Sequence, residues 1–445
     1  MKRKLSALAV AAALIYGFSA PASAQYVSNV TQTGSDNEAT ASQHGFFGGL
    51  QTVTVNQSGS ANQANAEQAD TRATNATILQ SGSANVASTL QDSIGESSAS
   101  ISQTGTGNNA STHQLWQLGG NAVINQNGTS NSASVEQLPP GGNGVDPRSD
   151  FSSGTVNQQG NNNTGTIRQI GVNTSGSANG AHATINQLGV NNNTATINQN
   201  PSSMRSVATI NQQNGSNNNS ATVNQTGPDH QATITQTDPN AFLNAATVNQ
   251  TGVNHTASVL QNTFLDNSSA LVNQNGSNHV ATVVQDNGGS NTALVNQFGD
   301  AQNANVNQIA INSPITINQS GALNFAHAGQ GFVWSSSISI NQNGAGNSAT
   351  VNQGTFNINA QQFNNSAAVT QTGNANNAIV AQPGSFNDAA IVQNGNGNLA
   401  TISQSGQGLA ASHNSASITQ TGSNSVAHVA QAGGAGNTAT VTQAP

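Results

Sequence analysis

Glutamines recur at fixed intervals from Gln32 to Gln443, each closing a short segment of the form small-x-β-branched-x-Gln. Ala76-x-Ile78-x-Gln80, Ala99-x-Ile101-x-Gln103, Ala122-x-Ile124-x-Gln126, Ala221-x-Val223-x-Gln225 and Ala439-x-Val441-x-Gln443 are examples. Alternation with a period of two marks a strand. Counting each Gln that ends such a segment, with Ala, Ser, Gly or a β-branched residue four positions earlier, gives thirty-four strands. Many are joined by Gln-x-Gly-x-x-Asn-x-Ala-x-x-x-Gln, as in Gln80, Gly82, Asn85, Ala87 and Gln91. The full period is most often twenty-three residues, as from Gln57 to Gln80 to Gln103 to Gln126. A repeat of this length points to stacked supersecondary units. The expectation is an all-β fold: a two-sheet β-solenoid of about 17 stacked strand-turn-strand rungs with cross-β character.

The spacing assigns a task to each residue type. Gly permits the positive φ of a tight turn, and Asn is expected to tolerate it while bonding nearby backbone. Ala, Val or Ile, and Gln point to one face because side chains alternate along a strand. Thr222 and Asn224 exemplify the opposite, wet face. A buried Gln left without partners costs about 1–3 kcal/mol, whereas stacked copies can bond amide to amide in a ladder along the axis. The expected ladder includes Gln32, Gln43, Gln57, Gln68, Gln80, Gln91, Gln103, Gln114, Gln126 and Gln137, and later Gln342, Gln353, Gln420, Gln431 and Gln443. The longest interruption, Leu138 to Ser153, holds Pro139, Pro140 and Pro147 and reads as a loop bulging from the solenoid at 138–153. Phe46, Phe47, Phe242, Phe264, Trp334 and Phe356 lie in longer links, where they either cover corners or serve lateral contact and adhesion.

Polar, Gly-rich composition would suit a disordered chain; the periodicity argues against it. The start of the chain reads as a leader: Lys2, Arg3 and Lys4, an apolar run from Leu5 to Phe18, then Ala22-Ser23-Ala24. The expected division is a signal peptide at 1–24 and an exported repeat region at 25–445, with no membrane span. Without cysteine there is no disulfide framework and no thiolate metal site. Of seven Lys and Arg, three lie in the leader, leaving Arg72, Arg148, Arg168 and Arg205 against fifteen acids. Such a chain lacks the cations that supply nucleic-acid affinity. No Lys remains for a phosphate-binding loop, no metal-hydrolase spacing occurs and the acids are scattered, so neither an enzyme nor a cofactor is expected.

Two blocks reproduce the pattern Ser-x5-Gln-x-Gly-x-Gly-Asn-x-Ala-x3-Gln completely. One is Ser97, Gln103, Gly105, Gly107, Asn108, Ala110 and Gln114; the other is Ser336, Gln342, Gly344, Gly346, Asn347, Ala349 and Gln353. This resembles the curlin repeat, and fifteen blocks of the chain pass a looser test of the same spacing. The resemblance implies a secreted structural subunit of curli-type amyloid fibres at the surface of a Gram-negative bacterium, serving biofilm matrix and adhesion. It implies self-association along the axis, a nucleator subunit and an outer-membrane secretion pore as partners. It also adds Asn108 and Asn347 to the interior ladder. The chain is longer than a five-repeat curlin subunit, and its strands begin near Val30 without a Gly-rich addressing segment.

Neither end of the sequence carries an evident polar cap, so axial growth is the expectation. The rival reading is a monomeric β-solenoid adhesin or binding module, which would be capped. His230, His255 and His279 replace Asn in three consecutive tight-turn blocks. They either substitute as polar turn residues or form a pH-sensitive or metal-binding edge.

Overall fold

The computed structural model describes residues 26–45, 49–116, 118–139, 151–171, 180–237, 242–355 and 362–444, without the side chains of 263–265. The leader, Phe46, Phe47, Phe356, the Phe264 side chain and residues 140–150 of the bulging loop lie outside that description. The described chain has no helix, and its strands form two parallel sheets wound as a β-solenoid of about 16 turns. Contacts divide it into two compact units, Met1–Val207 and Ala208–Pro445.

Within the first unit each strand pairs in parallel with the strand one full period away. Asn75–Ser83 lies in register on Ser98–Thr106, which lies on Asn121–Thr129, so Gln80, Gln103 and Gln126 form one column. In the facing sheet Gln63–Ala69, Val86–Asp92 and Asn109–Leu115 stack likewise, aligning Gln68, Gln91 and Gln114. The second unit repeats the arrangement: Ser269–Ser277, Thr292–Asp300 and Pro314–Ala322 align Gln274, Gln297 and Gln319. The long link after Leu138 does not disturb register, since Gln158 still lies on Gln126.

The core is the narrow space between the sheets. Ala76, Ile78 and Gln80 are buried, and Ala87, Thr89 and Gln91 face them from the next strand. Every second residue of these strands turns inward, giving the alternating burial of Val86–Asp92. Burying one Val or Ile contributes about 1.5–3 kcal/mol, so the apolar term accrues rung by rung, as stability does in repeat proteins.

All thirty-four Gln-terminated strands are present, joined by a two-residue strand, Gln362–Phe363, that the pattern did not contain. That strand pairs with Val333 and Trp334 at a corner. It stays outside the amide ladder, where Gln353 bonds directly to Gln382.

The tight turns correct one expectation about Asn. The left-handed residue is the one before it: Ala61 (φ 54°), Ala84 (φ 54°) and Ser130 (φ 55°). Asn62, Asn85 and Asn131 point inward and are buried. The turn Gly is required for two reasons. Gly82 has a φ of 115°, and a Cβ there would stand 2.0 Å from the carbonyl oxygen of Gly105 on the next rung.

Candidate functional site: the internal polar columns

Each strand places one Gln at the inner face just before the backbone turns, so its amide meets the amide of the rung above. Gln32 donates Nε2–H to Oε1 of Gln57 at 2.6 Å, and Gln43 to Gln68 at 2.8 Å. Gln57, Gln80 and Gln103 donate in turn to Gln80, Gln103 and Gln126, each at 2.8 Å. In the facing sheet Gln68, Gln91 and Gln114 donate to Gln91, Gln114 and Gln137, again at 2.8 Å. In the second unit Gln342 reaches Gln371 at 2.8 Å, Gln330 reaches Gln353 at 3.0 Å, Gln404 reaches Gln431 at 2.8 Å and Gln420 reaches Gln443 at 2.8 Å. Every Gln named from the sequence stands in one of these ladders. Each of these amide–amide bonds runs in the same sense, from the earlier rung's Nε2–H to the later rung's Oε1.

The remaining amide hydrogen ties the two sheets together. Gln80 Nε2 also lies 2.9 Å from the Gln63 carbonyl and 3.1 Å from that of Asn85, at the start of the facing strands. Gln103 reaches the Val86 carbonyl at 2.9 Å. A single side chain therefore bonds along the axis and across the core, which satisfies the amide donors that burial would otherwise leave open.

A second column runs through the tight turns. The backbone N–H of Asn85 donates to Asn62 Oδ1 at 3.1 Å, that of Asn108 to Asn85 Oδ1 at 3.1 Å, and that of Asn131 to Asn108 Oδ1 at 3.1 Å. Asn108 Nδ2 donates to the carbonyls of Thr104 at 3.2 Å and Gly128 at 3.0 Å, stitching its own turn and the next. Asn347 does the same work, accepting the Asn376 N–H at 3.0 Å and donating to Gly373 at 2.8 Å. Asn108 and Asn347 are thus buried ladder residues.

The third column, at the opposite edge, went unread in the sequence. Ser97 Oγ accepts the Gly120 N–H at 3.0 Å. In the second unit Ser313 Oγ accepts from Ser336, Ser336 Oγ from Asn365, Asn365 Oδ1 from Asn387, and Asn387 Oδ1 accepts the side-chain amide of Asn414, at 3.0–3.1 Å. The available signal was the Ser six residues before Gln103 and Gln342.

His230, His255 and His279 occupy the Asn column of the second unit. Their rings are buried and stacked with centroids 4.9 and 4.8 Å apart and interplanar angles of 7° and 2°. The N–H of His255 donates to His230 Nδ1 at 3.3 Å, and that of His279 to His255 Nδ1 at 3.2 Å. Nε2 of His255 faces the Thr251 carbonyl at 2.9 Å. Burial holds all three below the usual imidazole pKa; for His255, flanked by the other two rings, the value falls to about 4. Both nitrogens of His255 are engaged with backbone, which leaves no lone pair for a metal. No group of three or more His, Cys, Asp or Glu among the described residues is placed to hold one.

The corner aromatics are half-exposed. Phe242 and Trp334 retain 41% and 38% of their surface, and Trp334 meets Phe363 edge-on at 5.7 Å.

The fold and its contents define a class: a parallel β-solenoid zipped internally by side-chain amides. The family model of the curlin associated repeat matches residues 266–299 and 413–444, so the chain carries curlin-type repeats at those two places. Neither matched segment overlaps the two blocks carrying the complete motif, yet Gln274, Gln297, Gln420 and Gln431 within them stand in the same ladders. No curated protein matches the chain. No helix among the described residues is long and apolar enough to cross a membrane.

Proposed function

We propose that this protein is the structural subunit of an extracellular curli-type fibre, exported after removal of residues 1–24 and assembled by stacking rung on rung. The observation that carries the reading is the equivalence of rungs: each presents the next with the same Gln, Asn or Ser, and backbone donors in register. The outermost described rungs are less covered than the inner ones. Val30 is 37% exposed, whereas Val55, its partner one rung in, is 1% exposed. At the far side Gln443 accepts from Gln420 and donates to the Val426 carbonyl, so its second amide hydrogen has no acceptor among the described residues. An edge of unpaired strand groups is a template for another chain, and the curlin repeat supports self-association as its use. A nucleating subunit, an outer-membrane pore and a place in biofilm matrix follow from the same family reading.

The test is incubation of purified residues 25–445, followed by electron microscopy and fibre diffraction. Unbranched fibres with a meridional reflection near about 4.8 Å, growing faster when seeded, are expected. Chains that remain monomeric when concentrated and aged would overturn the proposal and favour a solitary binding module.

A further inference from the structure

Three consecutive tight turns carry His where neighbouring rungs carry Asn, and the exchange is not chemically neutral. In the Asn column the acceptor is an amide oxygen, which gains no proton in ordinary acid. In the His column it is Nδ1: His230 accepts from His255, His255 from His279, and His279 from the Gln302 N–H at 3.3 Å. Nε2 of the three rings faces the carbonyls of Thr226, Thr251 and Asn275 at 3.1, 2.9 and 3.0 Å. Only the neutral tautomer with hydrogen on Nε2 can serve both contacts. A proton on Nδ1 would point at a backbone N–H and remove the bond to the next rung.

We infer that the His230–His255–His279 column is an acid-sensitive latch, holding its rungs together while the rings are neutral and releasing them locally when the rings are protonated. The inference does not depend on fibre assembly, because the column lies inside one unit. The charged groups whose fields reach the column are Asp229 beside His230 and Asp300 beside His279, and both favour a proton on the outer rings. Asp300 itself is solvent-exposed and bonded to Ser277 Oγ and Asn278 Nδ2. His255 has only its two stacked neighbours, which disfavour a second positive charge. The sign follows. A folded pKa depressed below the unfolded value of about 6.5 means that the closed form binds fewer protons. The stabilisation is therefore complete above about pH 6.5 and is lost as pH falls toward about 4.

Amide exchange separates this latch from a passive polar turn. Wild type is compared with the triple variant His230→Asn, His255→Asn, His279→Asn at one pH, so that intrinsic exchange rates cancel. At pH 7 the amides of Gln261, Gln285 and Gln302 are expected to exchange within about twofold in the two proteins. At pH 4.5 wild type should exchange at least about tenfold faster there, with no difference at Gln103. An equal ratio at both pH values overturns the inference. Should the triple variant not fold, ¹⁵N spectra of the wild-type His255 imidazole decide: a neutral Nε2–H ring at pH 5.5 is expected, and an imidazolium signal with the rungs still closed would contradict it.

Discussion

A glutamine inside this solenoid is held by three kinds of partner: the amide below, the amide above and a carbonyl of the facing sheet. Gln103→Leu keeps the volume but strands Gln80 Nε2 and Gln126 Oε1. At about 1–3 kcal/mol for each orphaned group, denaturant unfolding should show a loss of about 2–6 kcal/mol. The opposite sign is expected at Thr89. Its buried hydroxyl occupies a position that Val or Ile fills elsewhere and has no hydrogen-bond partner among the described residues. Thr89→Val should therefore stabilise by about 1 kcal/mol, read by the same titration. Gly105→Ala tests the turn. At φ 114° its new Cβ would meet the Gly128 carbonyl oxygen at 2.0 Å, so a loss exceeding about 2 kcal/mol is expected.

The rung is the element that matters, and its definition explains what was readable in the sequence. The Gln columns were legible because period-two burial and a twenty-three-residue return leave few other arrangements for Gln57, Gln80 and Gln103. The Asn column was half legible. Asn85 falls where turns favour Asn, and composition cannot tell a turn residue with positive φ from one whose side chain turns inward while Ala84 takes the left-handed geometry. The Ser97 and Ser336 column was hidden because small hydroxyls are common throughout the chain. Gln362–Phe363 was hidden because a two-residue strand has no alternation to detect. Since Gln80 and Gln103 are equivalent, deleting residues 81–103 should place Gln126 on Gln80 and preserve one cooperative unfolding transition. Deleting residues 81–91 shifts the register between sheets and should abolish it. Circular dichroism melts of the two deletions distinguish these outcomes.

At the scale of the whole molecule, regularity substitutes for a globular core. Charged residues make up 5% of the chain and cysteine is absent, so neither ion-pair networks nor disulfides supply much of the stability. What remains is apolar burial of about one Ala and one Val or Ile per strand, together with columns of amides that enforce register. The same columns make one rung acceptable to another, which links the interior of a single chain to its proposed polymerisation. Exchange of the Gln side-chain amide hydrogens, followed by NMR on the folded chain, tests the ladder most directly. Gln63, whose side chain is exposed, serves as the internal control for Gln103. Slowing of the Gln103 amide by orders of magnitude relative to Gln63 is the expected result, and equal rates at the two sites would contradict the ladder.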